Sequence, residues 1–439
     1  MEEPWIKVGI VSGESIRFSL GDTYVTACGD FRAGDYEVLL TAGGEISVNG
    51  VVFGKSAEFV PAIGDSLFTL EEVTIGVLFH WQRSMRLSFR GTLLLLAHEG
   101  KITAVNDIHL EQYLESVISS EMRSTSYPEL LKAHAVISRS WLLAQLPRMA
   151  GEQPVKKAPM PGETGDTVMA WYDREDHDIF DVCADDHCQR YQGVAQAVVP
   201  YVREALEATR GEVLYSGGRV CDARFSKCCG GVTELYETCW DDTPHLYLQP
   251  VADNRAPEIF PDLTNEPEAE RFIVSSPDAF CNNHDKSILS QVLNDYDCET
   301  ADFFRWEKSY TQHELSSVIR DKTGIDFGFI KKLVPLKRGP SGRIMQLRIE
   351  GTECSRTIGK ELYIRRALSP SHLYSSAFVV ETGDTENGIP GRFTLRGAGW
   401  GHGVGLCQIG AAVMASEGYG YREILSHYFA AAKLCKIYV

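Results

Sequence analysis

The sequence contains no apolar run of about 18 residues, the length that a membrane-spanning helix requires. Its apolar stretch at residues 92–98 is much shorter and is typical of a buried strand. Basic residues are also scarce, since 43 Lys and Arg stand against 60 Asp and Glu and give a formal net charge of −17. Nucleic acids and anionic membrane surfaces are bound by basic patches, so both are disfavoured as partners, and no transmembrane segment is predicted.

A secretory leader is missing as well. The start of the chain, residues 1–4, is typical of a protein from which such a leader has been trimmed, so its absence does not argue against export. The 12 cysteines leave disulfides, metal ligands and free thiols all open.

The composition is that of a folded protein, with 44% hydrophobic and 23% charged residues, and 439 residues favour two or three domains. Short alternating runs before residue 100 predict strands, and helical periodicity follows them. Residues 312–322 predict a helix, 344–349 a strand, and 408–417 a final helix. We therefore predict an α+β fold. The expected divisions are a small β-rich domain at 1–70, the first part of a catalytic core at 71–245, an insertion and second α+β subdomain at 246–380, and the C-terminal part of the core at 381–439.

Two predicted helices lie on either side of a turn that follows Glu121. Apolar residues from Leu110 to Ile118 recur at helical spacing, with Asn106 and the residue after it as the expected cap, and a polar turn ends this helix near Glu121. Pro128 suits the first turn of the next helix. A carboxylate at such a change of chain direction can line a cleft and act as a general acid. The alternative is a solvated Glu at a helix end.

The segment HDIFDVCADDHCQRY carries His177, Cys183, His187 and Cys188, two imidazoles and two thiols within a dozen residues. This set suffices for a tetrahedral Zn²⁺ site. The spacing is not that of a zinc finger, so two disulfide-bonded or free cysteines remain the alternative.

A glycine-rich segment near the C-terminus has Gly at every second position from 397 to 405. Glycine permits positive φ and a close approach of ligand to backbone. His402 would project from this turn toward a ligand. Alternatively the segment is a structural turn in which the imidazole is bonded to a carbonyl.

The other cysteines give weaker signals. Cys228 or Cys229 can pair with Cys221 or Cys239, and packing or a disulfide is favoured over nucleophilic catalysis. The thiol of Cys407 is expected to pack. No role is predicted for the remaining five: Cys28, Cys281, Cys298, Cys354 and Cys435.

Residues 106–141, NDIHLEQYLESVISSEMRSTSYPELLKAHAVISRSW, resemble the signature of the SpoIID/LytB family: a strand ending in Asn, then YL, SEM, a short turn and P-x-x-L-K-A-x-A-V-x-x-R. Three further segments resemble family motifs in the family order, at 222–234 (CGG-x-T-E), 341–351 and 397–411 (GHG-x-G, then Q-x-GA). The resemblance runs from about residue 70 to the C-terminus.

The resemblance implies site residues. The catalytic Glu of SEM corresponds to Glu121, and the family's cations in the following helix correspond to Lys132 and Arg139, expected clamps for a substrate carboxylate. A subset of SpoIID-like enzymes carries a metal-binding Cys/His cluster before CQ-x-Y. Gln189 and Tyr191 complete that match and are expected beside the substrate, and zinc is the expected cofactor.

The resemblance also implies a function: an exported, periplasmic or envelope-associated lytic transglycosylase that cuts peptidoglycan glycan strands to 1,6-anhydro-N-acetylmuramic acid (anhydroMurNAc) ends. Denuded strands, which lack stem peptides, are the expected substrate. The alternative is a non-catalytic glycan-binding protein that stimulates a cell-wall amidase, as the amidase enhancers of the family do. A zinc-dependent hydrolase is a weaker third possibility.

Overall fold

The computed structural model describes residues 2–76, 82–123, 125–146, 165–170, 177–185, 187–194, 200–292 and 302–439. Cys298 lies outside these ranges. Helices and strands mix along the described chain, which confirms the predicted α+β fold. The chain divides into two compact units. The first unit comprises residues 1–139, 175–213 and 436–439, and the second comprises 140–174 and 214–435.

The first unit is built on two sheets, with strands numbered here along the chain. One has the order β14 (Val182–Cys183), β1 (Trp5–Gly13), β12 (Lys101–His109), β11 (Thr92–His98), β8 (Ser56–Pro61), β3 (Tyr24–Thr26), β4 (Gly29–Phe31). The other has the order β10 (Arg83–Arg90), β9 (Leu67–Ile75), β2 (Ser15–Leu20), β5 (Gly34–Leu40), β6 (Ile46–Val48), β7 (Val51–Gly54). Alternation sets the faces, since Ile16, Phe18 and Leu20 of β2 are buried while their neighbours are more exposed.

The first 70 residues do not form a separate domain. β1 pairs antiparallel with β12 over its whole length, and β8 pairs with β11. The segment thus shares its sheets with residues 83–109, and the boundary expected near residue 70 does not coincide with a division of the structure. Strand pairing between distant segments leaves no local trace in the sequence, which is why this arrangement was not predicted.

Within the described ranges, the helices that come next along the chain are α1 (Leu110–Glu121), α2 (Pro128–Gln145) and α3 (Pro200–Ala208). The predicted end of α1 at Glu121 and the start of α2 at Pro128 are confirmed. The predicted cap is wrong, because β12 runs on to His109 and α1 begins at Leu110. Asn106 is instead a buried strand residue whose Nδ2 donates to the Arg90 carbonyl at 2.8 Å.

The second unit contains a four-stranded sheet in the order β13 (Thr167–Met169), β21 (Ser355–Gly359), β20 (Ile344–Gly351), β19 (Ile330–Arg338), and a three-stranded sheet in the order β18 (Arg305–Thr311), β23 (Arg392–Ala398), β22 (Phe378–Gly383). Its helices are α4 (Tyr236–Cys239), α5 (Glu266–Val274), α6 (Lys286–Val292), α7 (Gln312–Thr323), α8 (Glu361–Ala367), α9 (Gln408–Ser416) and α10 (Tyr421–Tyr428). Leu315 and Ile319 of α7 share one apolar core with Leu347 of β20 and Ile358 of β21.

The structure confirms the helix predicted from residue 312, the strand predicted from 344 and the helix predicted from 408. α7 begins with a capping box between Thr311 and Glu314 and ends at Gly324, whose φ is 71°. Two short sheets complete the fold: β17 (Phe225–Ser226) pairs in parallel with β24 (Leu406–Cys407), and β15 (Glu212–Ser216) lies between β16 (Arg219–Val220) and β25 (Lys433–Lys436). None of the helices within the described ranges is both long and apolar enough to cross a membrane.

Candidate active site and metal centre

Glu121 is the last residue of α1, and its side chain is half-buried. The buried Met122 follows it in extended conformation and donates its N–H to the Ile118 carbonyl at 3.1 Å, which ends the helix. The backbone N–H of Arg190 donates to Oε1 of Glu121 at 3.1 Å. A backbone donor therefore holds this carboxylate in one orientation.

The structure brings the four predicted metal ligands together, and we call His177, Cys183, His187 and Cys188 the Cys/His cluster. One ligand atom from each residue lies within 4.8 Å of all the others. Sγ of Cys188 is 3.5 Å from Nε2 of His177 and 3.4 Å from Nδ1 of His187, and Sγ of Cys183 is 3.7 Å from the same Nδ1.

These separations fit a tetrahedral zinc ion. Zn–S bonds of about 2.3 Å and Zn–N bonds of about 2.0–2.1 Å place neighbouring ligand atoms roughly 3.3–3.8 Å apart. Two thiols and two imidazoles form a donor set that Zn²⁺ prefers. The Cys/His cluster is therefore able to hold a metal ion.

The N-terminal strand supports this cluster. β14, which contains Cys183, pairs in parallel with β1, and the N–H of Ala184 donates to the Gly9 carbonyl at 3.0 Å. A Cβ on Gly9 would lie 2.5 Å from the ring of Phe180, so only glycine fits there. The Phe180 ring in turn packs against His177, with their centroids 4.5 Å apart. The first 13 residues thus help to position the side chains of the Cys/His cluster.

Tyr113 lies on α1, the helix that ends at Glu121. This buried side chain donates its hydroxyl to Oε1 of Gln189 at 3.4 Å. Its pKa is raised well above the usual value, first by burial and then by the neighbouring Cys188, Cys183, Tyr191 and Glu121. The Tyr113 hydroxyl therefore stays protonated at neutral pH and is available as a hydrogen-bond donor. No role was predicted for Tyr113, although it is the Tyr of the YL motif.

Gln189 and Tyr191 were expected to contact substrate, but both are buried among protein groups. Nε2 of Gln189 is 3.4 Å from the Ser138 carbonyl that accepts its hydrogen bond. The Tyr191 hydroxyl donates to Oδ1 of Asn106 at 2.5 Å, and its ring stacks on Tyr113 with centroids 5.1 Å apart. These contacts fix the chain on either side of Arg190, the residue whose N–H holds Glu121.

Arg139 was also expected to bind substrate. Its guanidinium is fully buried and forms a bidentate pair with Glu111, through Nε at 2.9 Å and an Nη at 2.7 Å. Its other Nη donates to the Glu212 carbonyl at 3.0 Å, and Tyr438 donates to the same Glu111 carboxylate at 2.6 Å. These contacts connect α1, α2 and the C-terminus, so Arg139 has a structural position.

Lys132 is more accessible, with 26% of its side chain exposed. Nζ lies 2.6 Å from Oε1 of Glu129, one turn earlier on α2. A partly exposed ammonium group of this kind can exchange an intramolecular partner for a ligand carboxylate at little cost. Of the two predicted cations, Lys132 is the one placed to do so.

His402 belongs to the second unit and follows Gly401 in the glycine-rich segment. Nδ1 accepts the N–H of Val404 at 3.0 Å, and the ring packs edge-on against Trp240 with centroids 4.8 Å apart. Burial lowers the pKa of His402 well below the usual value, and the charges of Arg224 and other arginines lower it further. The imidazole is therefore neutral at physiological pH and shapes the glycine-rich turn.

A small surface depression lies along α1, lined in part by Arg90, Gln112, Glu115, Ser119 and Gly193. Glu121 is not among the lining residues, so this depression does not contain the candidate carboxylate.

Comparison with known proteins places this site in a family segment. Residues 98–215 match the family model described as Stage II sporulation protein, and residues 234–405 match a domain of unknown function (DUF8618). The first of these segments contains Glu121 and the whole Cys/His cluster.

Curated relatives extend over more of the chain. An uncharacterized protein of Brachyspira hyodysenteriae is 24% identical over 358 residues, which cover 81% of this chain and 75% of the relative. Stage II sporulation protein D of Bacillus subtilis is 23% identical over 333 residues, 74% of either chain. The Amidase enhancer of Bacillus subtilis is 24% identical over 239 residues, which cover 52% of this chain but only 31% of that protein. These matches confirm the resemblance that the motifs indicated.

Proposed function

The chain belongs to the SpoIID/LytB family, which acts in peptidoglycan remodelling, and from that premise we propose that it is a lytic transglycosylase with Glu121 as its general acid and base. Its substrate would be the bond between MurNAc and N-acetylglucosamine (GlcNAc) in glycan strands, preferably denuded ones. The observation that carries the proposal is the position of Glu121: a carboxylate oriented by the Arg190 N–H, at a helix end and beside the Cys/His cluster. The names of the relatives also support action outside the cytoplasm.

One carboxyl group suffices for this reaction. Protonated Glu121 donates its proton to the glycosidic oxygen as the bond from MurNAc C1 to that oxygen breaks, and GlcNAc leaves with a free hydroxyl. The C6 hydroxyl of the same MurNAc then attacks C1, and Glu121 takes its proton. The products are an anhydroMurNAc end and a GlcNAc end, and no water is consumed.

An internal nucleophile explains why a second acid is not required. Ordinary glycosidases use two carboxylates, because one of them must activate water or form a covalent bond. The C6 hydroxyl belongs to the same sugar unit as C1 and therefore has a high effective molarity. Because this hydroxyl is already placed for attack, a second carboxylate is not needed. The remaining task of the protein is to hold the MurNAc unit, and we assign its lactyl carboxylate to Lys132.

We assign one Zn²⁺ to the Cys/His cluster. Four protein ligands close a tetrahedral shell, which is typical of structural zinc, and the bound ion would hold together the segment that leads to the Arg190 N–H. Gln189, Tyr191 and Arg139 would act as positioning residues, and His402 would shape the glycine-rich turn.

The similarity to an Amidase enhancer makes a non-catalytic glycan-binding protein the second candidate. Incubation of the purified protein with denuded glycan strands, followed by chromatography and mass spectrometry, separates the two. We expect the strands to be shortened without any added enzyme. Glycan that is bound but stays intact, together with faster cleavage by an added cell-wall amidase, would contradict the transglycosylase and support the enhancer.

A further inference from the structure

The second unit contains another group of potential metal ligands, which the sequence patterns did not connect. We call Cys229, Asp253, Cys281 and Cys407 the Cys/Asp cluster. One ligand atom from each of the four lies within 4.8 Å of all the others. No function considered so far involves these residues.

The separations within the Cys/Asp cluster match those of a metal shell. Sγ of Cys229 is 3.6 Å from Sγ of Cys281, where two thiolates on one tetrahedral Zn²⁺ would lie roughly 3.8 Å apart. The N–H of Cys229 donates to Sγ of Cys407 at 3.2 Å. Backbone N–H groups stabilise a thiolate, the form of cysteine that binds metals.

The four residues come from four separate segments of the chain. Cys229 follows β17, and Cys407 ends β24, its parallel partner. Asp253 is joined to the CGG turn, since its N–H donates to the Gly231 carbonyl at 2.9 Å, and Cys281 donates its own N–H to Oδ2 of Asp253 at 2.9 Å. Convergence of four segments on one point is expected of a site that ties a fold together.

Burial makes the charged forms of these side chains costly without a cation, and it raises the pKa of Asp253 to about 8. The exposed fractions are 2% for Cys229, 0% for Asp253, 1% for Cys281 and 0% for Cys407. Oδ1 of Asp253 accepts the Tyr428 hydroxyl at 2.6 Å, and within the described part of the chain no Lys or Arg forms an ion pair with this carboxylate. An ionised carboxylate taken out of water needs a compensating charge or a metal ion.

The packing leaves space for Asp253 in particular. Gly410 lies in the first turn of α9, three residues after Cys407. A Cβ on Gly410 would be 2.4 Å from Oδ1 of Asp253 and 2.4 Å from the Tyr428 hydroxyl. The absence of a side chain at this position lets the carboxylate pack directly against α9, which begins immediately after Cys407.

We propose that the Cys/Asp cluster is a second metal site, which holds one thiophilic divalent cation of the Zn²⁺ class through three thiolates and one carboxylate oxygen. Four protein ligands leave no open coordination position, so the ion would be structural. It would join the CGG turn to the end of the glycine-rich segment and the start of α9. The main alternative to a metal site is a disulfide between Cys229 and Cys281. A disulfide would use two of the four groups and would not explain why Cys407 and the buried Asp253 lie beside them.

Elemental analysis of the full chain, purified without reductant or added metal, tests the proposal. We expect Cys281→Ser to contain one zinc equivalent less than the matched control Cys221→Ser, which removes a buried thiol of the same unit outside the cluster. Equal zinc content in the two variants would overturn the proposal. A Cys229–Cys281 disulfide in freshly purified protein, mapped by mass spectrometry of unreduced peptides, would also overturn it.

A milder variant keeps the test valid if Cys281→Ser does not fold. Asp253→Asn preserves the shape of the side chain and removes its charge, so one zinc equivalent should be lost at a lower chelator concentration than in the wild-type protein or in Cys221→Ser. Identical chelator curves for all three proteins would contradict a metal held by Asp253.

Discussion

Glu121→Gln is expected to lower the rate of glycan cleavage by roughly 10²–10⁴-fold, the usual contribution of general acid–base catalysis. The amide has nearly the shape of the carboxyl group and can still accept the hydrogen bond from Arg190, but it cannot donate a proton to the leaving oxygen and take one back. The measurement is the rate at which new ends appear in denuded glycan.

A suitable control is Glu204→Gln on α3, which removes an exposed carboxylate from the same unit. Glu204→Gln should cleave at the wild-type rate. Both variants should unfold at the wild-type temperature and bind glycan as the wild type does. Wild-type turnover in Glu121→Gln would remove Glu121 from the mechanism.

The double variant Cys183→Ser, Cys188→Ser is expected to lose one zinc equivalent and roughly 10–100-fold of the cleavage rate, since loss of groups that orient a site has effects of this size. The physical reason is that the 177–188 segment leads directly into the Arg190 N–H that orients Glu121. Metal analysis and cleavage rate should therefore fall together. Cys28→Ser, which removes an exposed thiol from the same unit, should change neither quantity. Full activity in a zinc-free double variant would refute the coupling.

The same site predicts a direction of pH dependence. Without a metal, the hydrogen bond with Cys188 and then burial raise the pKa of Cys183 to about 11, so this thiol is protonated at neutral pH. Zinc binds the thiolate and must displace that proton. Zinc affinity at the Cys/His cluster should accordingly rise with increasing pH and fall on acidification.

Local patterns predicted much of the site. The helix ending at Glu121, the turn and the start of α2 at Pro128 depend on neighbouring residues, and the four ligands of the Cys/His cluster lie close together in the chain. Their convergence could therefore be read from the sequence.

Long-range packing accounts for what the sequence did not reveal. Arg139 was predicted to bind substrate, but it is buried in an ion pair with Glu111, whose carboxylate also accepts a hydrogen bond from Tyr438. These partners are distant in sequence. β1 supports the metal ligands across more than 170 residues, and the Cys/Asp cluster joins positions 229 and 407. Neither spacing nor periodicity records which distant segments meet.

The two clusters differ in their surroundings, so metal loss is expected to affect catalysis at one and stability at the other. The Cys/His cluster ends two residues before Arg190, whose N–H orients Glu121, so its occupancy is expected to affect catalysis. The Cys/Asp cluster is fully buried in the second unit, so its occupancy is expected to affect the stability of the glycine-rich segment. The separate zinc measurements on the two sets of variants therefore report on different properties.

The most direct test of the central claim is the chemistry of the new glycan end. Digestion of denuded strands in water enriched in ¹⁸O, followed by mass spectrometry, distinguishes an internal hydroxyl from water as the nucleophile. The mechanism with Glu121 as the one acid–base group predicts anhydroMurNAc ends that contain no ¹⁸O. Reducing MurNAc ends that carry the label would contradict it, because they would show that water attacks the anomeric carbon.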